Sequence, residues 1–526
     1  MDSKSLLEQN PILLFFLALS FVYAVDRWVK RRPTLPLPPG PKGLPIVGNL
    51  FDAPVADPEI HKTFRQWSEK YGSDIVFFAL PSQPTLIINK AKIAFDLLEK
   101  RSHIYSDRPT SMMTELTGLD FNFALMSYSP RWRLHRRIFH QYFNANMISR
   151  YDSEQINSVR AFIRRTLNAK PSDDLMSSVS LAFGASILKV VYGVDIDDTH
   201  HEYITLAHDH GQIASEVHEL GRFWIDYFPF FKNVPAWIPG VQFKRYAQEK
   251  RPIMEVSIRK PYDDMKNAAA SGKAEPSVAH SLLVKLQALH DEVPLDEYLK
   301  HEEATINTTG VAYAGGTDTS SSSALSFLIA MAKYPHIQKK AQAELDDLLG
   351  VSRLPDFSDY DSLPYICAVA MEIMRFKPVT PLGVPHKLME DDEYNGYFIP
   401  KGTIIIPNFW ATLHDPEDYP DPEAFKPERF LKDGQLDPTV RDPMTLAFGY
   451  GRRICPGRFF SNKAMFLFIA STLQVFNIEP AKDANGNPVD LDSVKYNAGL
   501  IATPESLPCI LTPRSEGARC LVLQSA

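Results

Sequence analysis

Apolar positions along this chain fall into three regimes. Pro11 to Val25 reads PILLFFLALSFVYAV, an uncharged run closed by Asp26-Arg27-Trp28-Val29-Lys30-Arg31-Arg32. The run alone is short of the ~20 residues that span a bilayer. Adding Trp28 and Val29, with Arg27 snorkelling to the interface, lengthens the usable helix. Its positive charges follow the run instead of preceding it, which predicts an uncleaved anchor with the rest of the chain in the cytosol. The second regime is short and β-like. DIVFFAL and TLIIN flank Pro81-Ser82-Gln83-Pro84 between Ile75 and Ile88, which predicts a hairpin. From there to about residue 380 the pattern is mostly helical, with one very long helix from Asp296 to Lys333 ending before Pro335.

Breaks in these patterns divide the chain. Pro33-Thr-Leu-Pro36-Leu-Pro38-Pro39-Gly40-Pro41-Lys42-Gly43-Leu44-Pro45 cannot be helix and favours stiff, extended geometry. The expected units are therefore an anchor with its basic stop (1–32), a proline-rich hinge (33–45), one catalytic body (46–514) and a loose tail (515–526). The stretch near 265–280 reads as a solvated loop. Residues 207–240 end in a proline-broken aromatic segment, either packed as a loop or lying on the bilayer as an entrance lid. Asn497–Pro504 and Pro508–Thr512 suggest a final hairpin whose turn reaches a pocket.

Composition narrows the class. The chain has 526 residues, 44% of them apolar, enough for a large core, and its net charge of −7 argues against a general nucleic-acid binder. Four cysteines (Cys367, Cys455, Cys509, Cys520) without CxxC spacing are too sparse for a disulfide scaffold. A catalytic domain in a reducing compartment fits this usage.

Candidate chemistry gathers at a few places. Phe448-Gly449-Tyr450-Gly451-Arg452-Arg453-Ile454-Cys455-Pro456-Gly457 presents a single thiol from a glycine-rich loop. The upstream arginines are expected to favour a thiolate or to pair with carboxylates on a flat cofactor. Pro456 suits the first turn of the apolar helix that follows. Trp132 and Arg136 stand at i and i+4, so one helix face carries two donors suited to a carboxylate. Gly315 and Gly316 interrupt the long helix at a cost of about 1 kcal/mol each relative to alanine. They are read either as room for a flat cofactor and a diatomic ligand or as a kink used for packing. Thr319 can bond back to the carbonyl near 315, which places Asp318 and Thr319 as an acid and an alcohol beside that gap. Asn307 matches a glycosylation acceptor but is expected to be unmodified in a buried helix.

The spacing Phe448-x-x-Gly451-x-Arg453-x-Cys455-x-Gly457 resembles the haem-ligand loop of the cytochrome P450 monooxygenases. Trp132-x-x-x-Arg136, the Gly315–Ser320 segment, Glu372-x-x-Arg375 and the Phe425–Phe430 segment with Arg429 match that family in order. The overall resemblance is to fungal microsomal members that tailor small natural products. It implies a mainly α fold with small β-sheets, preceded by one transmembrane helix. It also implies haem b with an axial thiolate from Cys455, and Phe448 and Gly315–Gly316 against the cofactor. Propionates would be held by Trp132, Arg136, His386 and Arg453, and protons handled by Asp318 and Thr319. Glu372, Arg375 and Arg429 would form a buried brace.

The implied reaction inserts one oxygen atom from dioxygen into a lipophilic substrate. Because no convincing dinucleotide fingerprint or flavin domain is evident, electrons are expected from a membrane NADPH-dependent cytochrome P450 reductase docking near Arg131 and Arg137. Cytochrome b5 is a possible second donor. The expected location is the endoplasmic reticulum membrane, single-pass, with the catalytic domain cytosolic. Phe121, Phe123, Ala312, Val379, Leu382 and Leu500 are the candidate pocket residues. A haem-thiolate isomerase or dehydratase working without external electrons, and a non-enzymatic membrane haem protein, are the alternatives.

Overall fold

The computed structural model describes residues 35–524 except 46, 56, 82, 170–173, 200, 235–240 and 498. The expected anchor therefore lies outside the described residues. Helices dominate, and the sheets are small. The expected hairpin is present: Ile75–Leu80 pairs antiparallel with Gln83–Ile88, with Ile75 opposite Ile88. Ile404–Pro407 joins it in parallel and His386–Lys387 pairs on the far side, so His386 sits opposite Ile405. The proline-rich segment is extended, as expected, and it is docked on the body. The carbonyls of Pro36 and Pro39 accept from the backbone N–H of Phe398 and Phe77, both at 2.8 Å.

The long helix runs Leu295–Lys333. Asp296 and Glu297 in its first turn and Lys333 in its last suit the helix dipole, and Pro335 follows its end. From Ala304 onward most of its residues are buried, because the helices Pro130–Phe143, Leu175–Tyr192, Glu202–Val217, Gln242–Ala270 and Arg458–Val475 pack around it. Among the described residues, Leu175–Tyr192 is the one helix long and apolar enough to cross a membrane. Here it is core, covering the middle of the long helix.

Three expectations need correction. The stretch near 265–280 is not all loop, since helix continues to Ala270 and only 271–277 connects it to the next. The final hairpin is rearranged. Tyr496 and Pro504 do bridge, but Cys509–Pro513 pairs with the more distant Phe476–Pro480. The tail is not loose: Glu516–Gln524 is helical and buries Ala518, Leu521 and Val522 against the main core. These three fall at i, i+3 and i+4, a one-faced apolar stripe that drives docking.

Candidate functional site at the cysteine loop and the long helix

The cysteine loop is built by its glycines. Gly451 has φ +54° in a 3-10 turn (Gly451–Arg453), and a Cβ there would stand 2.4 Å from the carbonyl oxygen of Leu98. Cys455 N–H donates to the carbonyl of Phe448 at 2.7 Å, closing the loop on itself. The following helix begins at Arg458, two residues later than Pro456 predicted. This leaves the N–H groups of Gly457 and Arg458 free to face the sulfur. Burial pushes the Cys455 thiol pKa up, while those N–H groups and the guanidinium groups of Arg136 and Arg458 pull it back down. Although it lies deep in the protein, Cys455 keeps accessible surface.

The charges favouring a thiolate are thus not the two upstream arginines. Arg452 is exposed and donates to Tyr128 Oη at 2.8 Å. Arg453 is buried, stacks over Trp132 at 4.4 Å and donates to the carbonyls of Ser106, Phe123 and Met126.

Trp132 and Arg136 both turn inward from one helix face, whereas Arg131, Arg133 and Arg137 on the same helix are exposed, as expected. Arg136 reaches the cysteine loop directly, donating to Ile454 O at 2.6 Å. Its pKa is held down to about 10, chiefly by burial. Arg453 is likewise lowered to about 10 by burial. His386 Nδ1–H donates to Tyr105 O at 2.8 Å, and burial with the charge of Arg108 drives its pKa far down, so it is neutral.

Arg108 was missed by the sequence reading. It is buried and donates to Ala124, Val384 and Pro385 carbonyls, and burial plus the Arg453 charge lower its pKa. A lone Asp-Arg-Pro triplet was the available signal, but nothing in it announces burial. Arg108 and Arg453 thus share one buried region with His386, and among the described residues Asp107 is the one carboxylate that offsets them there. Buried cations require paired anions, and this set is short of negative charge. A flat group bearing two carboxylates fits that deficit, and its metal would fit beside Cys455.

On the other side, the long helix opens at Gly315, which is exposed in an otherwise buried stretch, with no atom within 4 Å of where a Cβ would be. Gly316 follows the packing alternative. A Cβ there would press on Ile187 at 3.1 Å, so its missing side chain admits the helix Leu175–Tyr192. Thr319 Oγ1 donates to Gly315 O at 2.7 Å, as expected, within a continuous α-helix. Burial alone raises the Asp318 carboxyl to about 8. Ser320 and Ser461 hydroxyls, 3.4 Å apart, tie this segment to the helix after the cysteine loop.

The expected pocket residues are partly gathered here. The 499–502 loop reaches the site: Ile501 N–H donates to Ser215 Oγ at 3.1 Å, Ser322 Oγ to Ala502 O at 2.7 Å, and Ala502 N–H to Val379 O at 2.8 Å. Phe121 packs on His210, Phe123 meets Phe139 edge-on, and Leu382 packs under the hairpin sheet.

An apolar gap on a long helix, a deep thiol facing two backbone N–H groups, and a buried cationic edge together define a haem-thiolate protein. The sequence model of the cytochrome P450 family matches residues 38–506, and this chain belongs to that family. It is 41% identical over 515 residues to cytochrome P450 monooxygenase COX1 of Coprinopsis cinerea, covering 96% of this chain and 98% of that one. To cytochrome P450 monooxygenase COX2 of the same fungus it is 39% identical over 492 residues, covering 93% and 91%. To the tryptamine 4-monooxygenase of Psilocybe cyanescens it is 38% identical over 515 residues, covering 96% and 98%. The chain is a haem-thiolate monooxygenase, an oxidoreductase that needs dioxygen and externally supplied electrons.

Proposed function

We propose that this enzyme hydroxylates a lipophilic natural product, with Cys455 as the axial thiolate and Asp318 and Thr319 as the proton-handling pair. The observation that carries the reading is the Cys455 sulfur set against the N–H groups of Gly457 and Arg458, beside a buried cation set short of anions. The overall change converts RH, O2, two electrons and two protons into ROH and water. Haem, when bound, supplies the redox centre on which dioxygen is activated.

The chain's own groups do the rest. Trp132, Arg136, Arg108 and Arg453 would hold the carboxylates of a bound haem, with neutral His386 beside them as a hydrogen-bond partner. The N–H groups of Gly457 and Arg458 offset part of the cost of burial, so less is left for a bound metal to overcome in drawing the proton off the sulfur. Thr319 spends its proton on Gly315 O, so its oxygen is left as an acceptor that can hold a water in the gap. Asp318, protonated at neutral pH, supplies a proton there and recovers it from solvent. Apolar side chains at Ala312 and Val379 and the 499–502 loop exclude bulk water and receive an apolar substrate. A terpenoid, polyketide or aromatic alkaloid fits such a pocket. The tryptamine hydroxylase among the relatives favours testing indole amines alongside terpenes.

Electrons come from an NADPH-dependent reductase docking on the exposed arginine face. Arg133 and Arg137 are its better contacts, since Arg131 is already paired with Glu303. Residues 1–32 anchor the enzyme in the endoplasmic reticulum membrane. Support comes from an apolar surface of Leu44, Phe51 and Trp224, two segments brought together where Gly221 packs on Val55.

The test is turnover of the full-length enzyme in reductase-containing membranes, supplied with NADPH and an extract of a fungal host lacking the gene. Products heavier by one oxygen atom, dependent on NADPH and on O2, are expected. Conversion that proceeds without NADPH or reductase would instead favour the isomerase reading.

A further inference from the structure

The helix Glu202–Val217 crosses the middle of the long helix. Tyr203, Ala207 and Gly211 follow one another at four-residue intervals and so share one face. That face covers the segment from Tyr313 to Asp318. The Tyr313 hydroxyl donates to the carbonyl of Tyr203, and the backbone N–H of Ala207 faces the same hydroxyl. One helical turn further, Asp318 rises against Gly211. A methyl group on Gly211 would stand 1.7 Å from Asp318 Oδ2 and 2.8 Å from its Cγ, yet 3.4 Å from its Cβ. The collision is therefore with the carboxyl group itself, and the rest of the aspartate would be tolerated.

Gly211 sits mid-helix without a positive φ, so its backbone has no need of glycine. Alanine would be the better helix former there. What the position requires is empty space. The same helix also closes the substrate side, since Ser215, four residues on, accepts from Ile501 N–H and packs on Gly499.

We infer that Gly211 is a positioning residue: the space left by its missing side chain is the seat of the Asp318 carboxyl, which fixes that group in the seam between the two helices. The seating of the Glu202–Val217 helix against the 499–502 loop then determines where the acid stands relative to Thr319. This rests on the reading of Asp318 as the proton donor. When delivery succeeds, RH, O2, two electrons and two protons give ROH and water. When it fails, the same two electrons and two protons leave with O2 as hydrogen peroxide, and RH is unchanged.

The experiment compares full-length wild type, Gly211→Ala, Asp318→Ala and the double variant, each haem-loaded and supplied with reductase, NADPH and dioxygen. Two quantities are read: peroxide formed per NADPH, and melting temperature. Gly211→Ala and Asp318→Ala should each raise the peroxide yield severalfold, and the double variant should go no higher than Asp318→Ala. In melting, Gly211→Ala should be clearly less favourable in wild type than in the Asp318→Ala background, where no carboxyl needs the space. If Gly211→Ala alone does not accumulate but the double variant does, the seat is supported. If neither accumulates, or the two melting shifts are equal, the seat is refuted. An unchanged peroxide yield in Gly211→Ala, or additive increases in the double variant, would overturn the positioning role. An unchanged yield in Asp318→Ala would instead overturn Asp318 as proton donor, while the melting comparison still reads the seat.

Discussion

The buried brace offers the best-determined perturbation. Glu372 and Arg375 are wholly buried, and Arg429 has 5% of its side chain accessible. The Glu372 carboxylate accepts from Arg375 Nε and Nη2 at 2.7 and 2.8 Å, from Arg429 Nε at 3.2 Å and from Lys426 N at 2.7 Å. The two guanidinium groups spend their other donors on the carbonyls of Leu413, Pro420, Asp421, Pro422 and Ala424. One anion thus balances two cations and ties the helix Pro364–Phe376 to the 413–429 loop. Glu372→Gln keeps the shape, removes the charge and strands both cations, at a cost of about 3–5 kcal/mol. With an unfolding entropy on the order of 1 kcal/mol/K for a domain this large, melting should fall by about 3–5 °C. Thermal melting of the haem-loaded protein at fixed scan rate reads this. Glu417→Gln is the control. Glu417 pairs with Lys90 at 2.9 Å but is 81% exposed, so its loss should be within about 0.5 kcal/mol. If Glu372→Gln melts no lower than Glu417→Gln, the brace does not stabilise the fold as reasoned.

Other expectations follow from single contacts. Arg136→Gln removes a half-buried cation whose one acceptor among the described residues is Ile454 O, so haem loss to an excess scavenger should quicken by about tenfold, the value of one charge-assisted hydrogen bond. Retention equal to wild type would remove Arg136 from the cofactor site. Asp318 holds its proton to about pH 8 in the native chain but releases it near 3.8 when unfolded, so the native state binds more protons between those values and loses stability as pH rises through them. Asp318→Asn has no such loss, and its melting advantage should widen from pH 5 to pH 8; a constant gap would contradict the shift. Deleting 516–526 strips Leu521 and Val522 from the core and should lower melting by a few degrees, at about 2–5 kcal/mol. A truncated protein that melts like wild type would restore the loose-tail reading.

The parts legible from sequence were those where chemistry demands residue types at fixed short spacing. The long helix was placed to within a residue at each end, because a sustained apolar pattern stops at Pro335. Thr319 to Gly315, and Glu372 to Arg375, are contacts that helical spacing alone dictates. Contacts between distant segments were not legible. Arg108 and Arg458 are ordinary surface-type residues until the fold buries one and turns the other toward a sulfur. Nearness in sequence suggests that Arg453 favours the Cys455 thiolate, but the 3-10 turn sets it over Trp132, the other residue expected at a propionate. Gly316 shows the same limit: its need is set by Ile187, which lies far off in the chain. The terminal helix carried a readable apolar stripe, and only its position at the chain end argued for disorder.

The reduced carbon-monoxide difference spectrum tests the central claim most directly, because its band reports whether the iron carries a thiolate. The wild-type enzyme should show the thiolate-type band. Cys455→Ala should lose it while the folded protein, judged by melting, persists. Survival of that band in Cys455→Ala would contradict the assignment of Cys455 as the ligand.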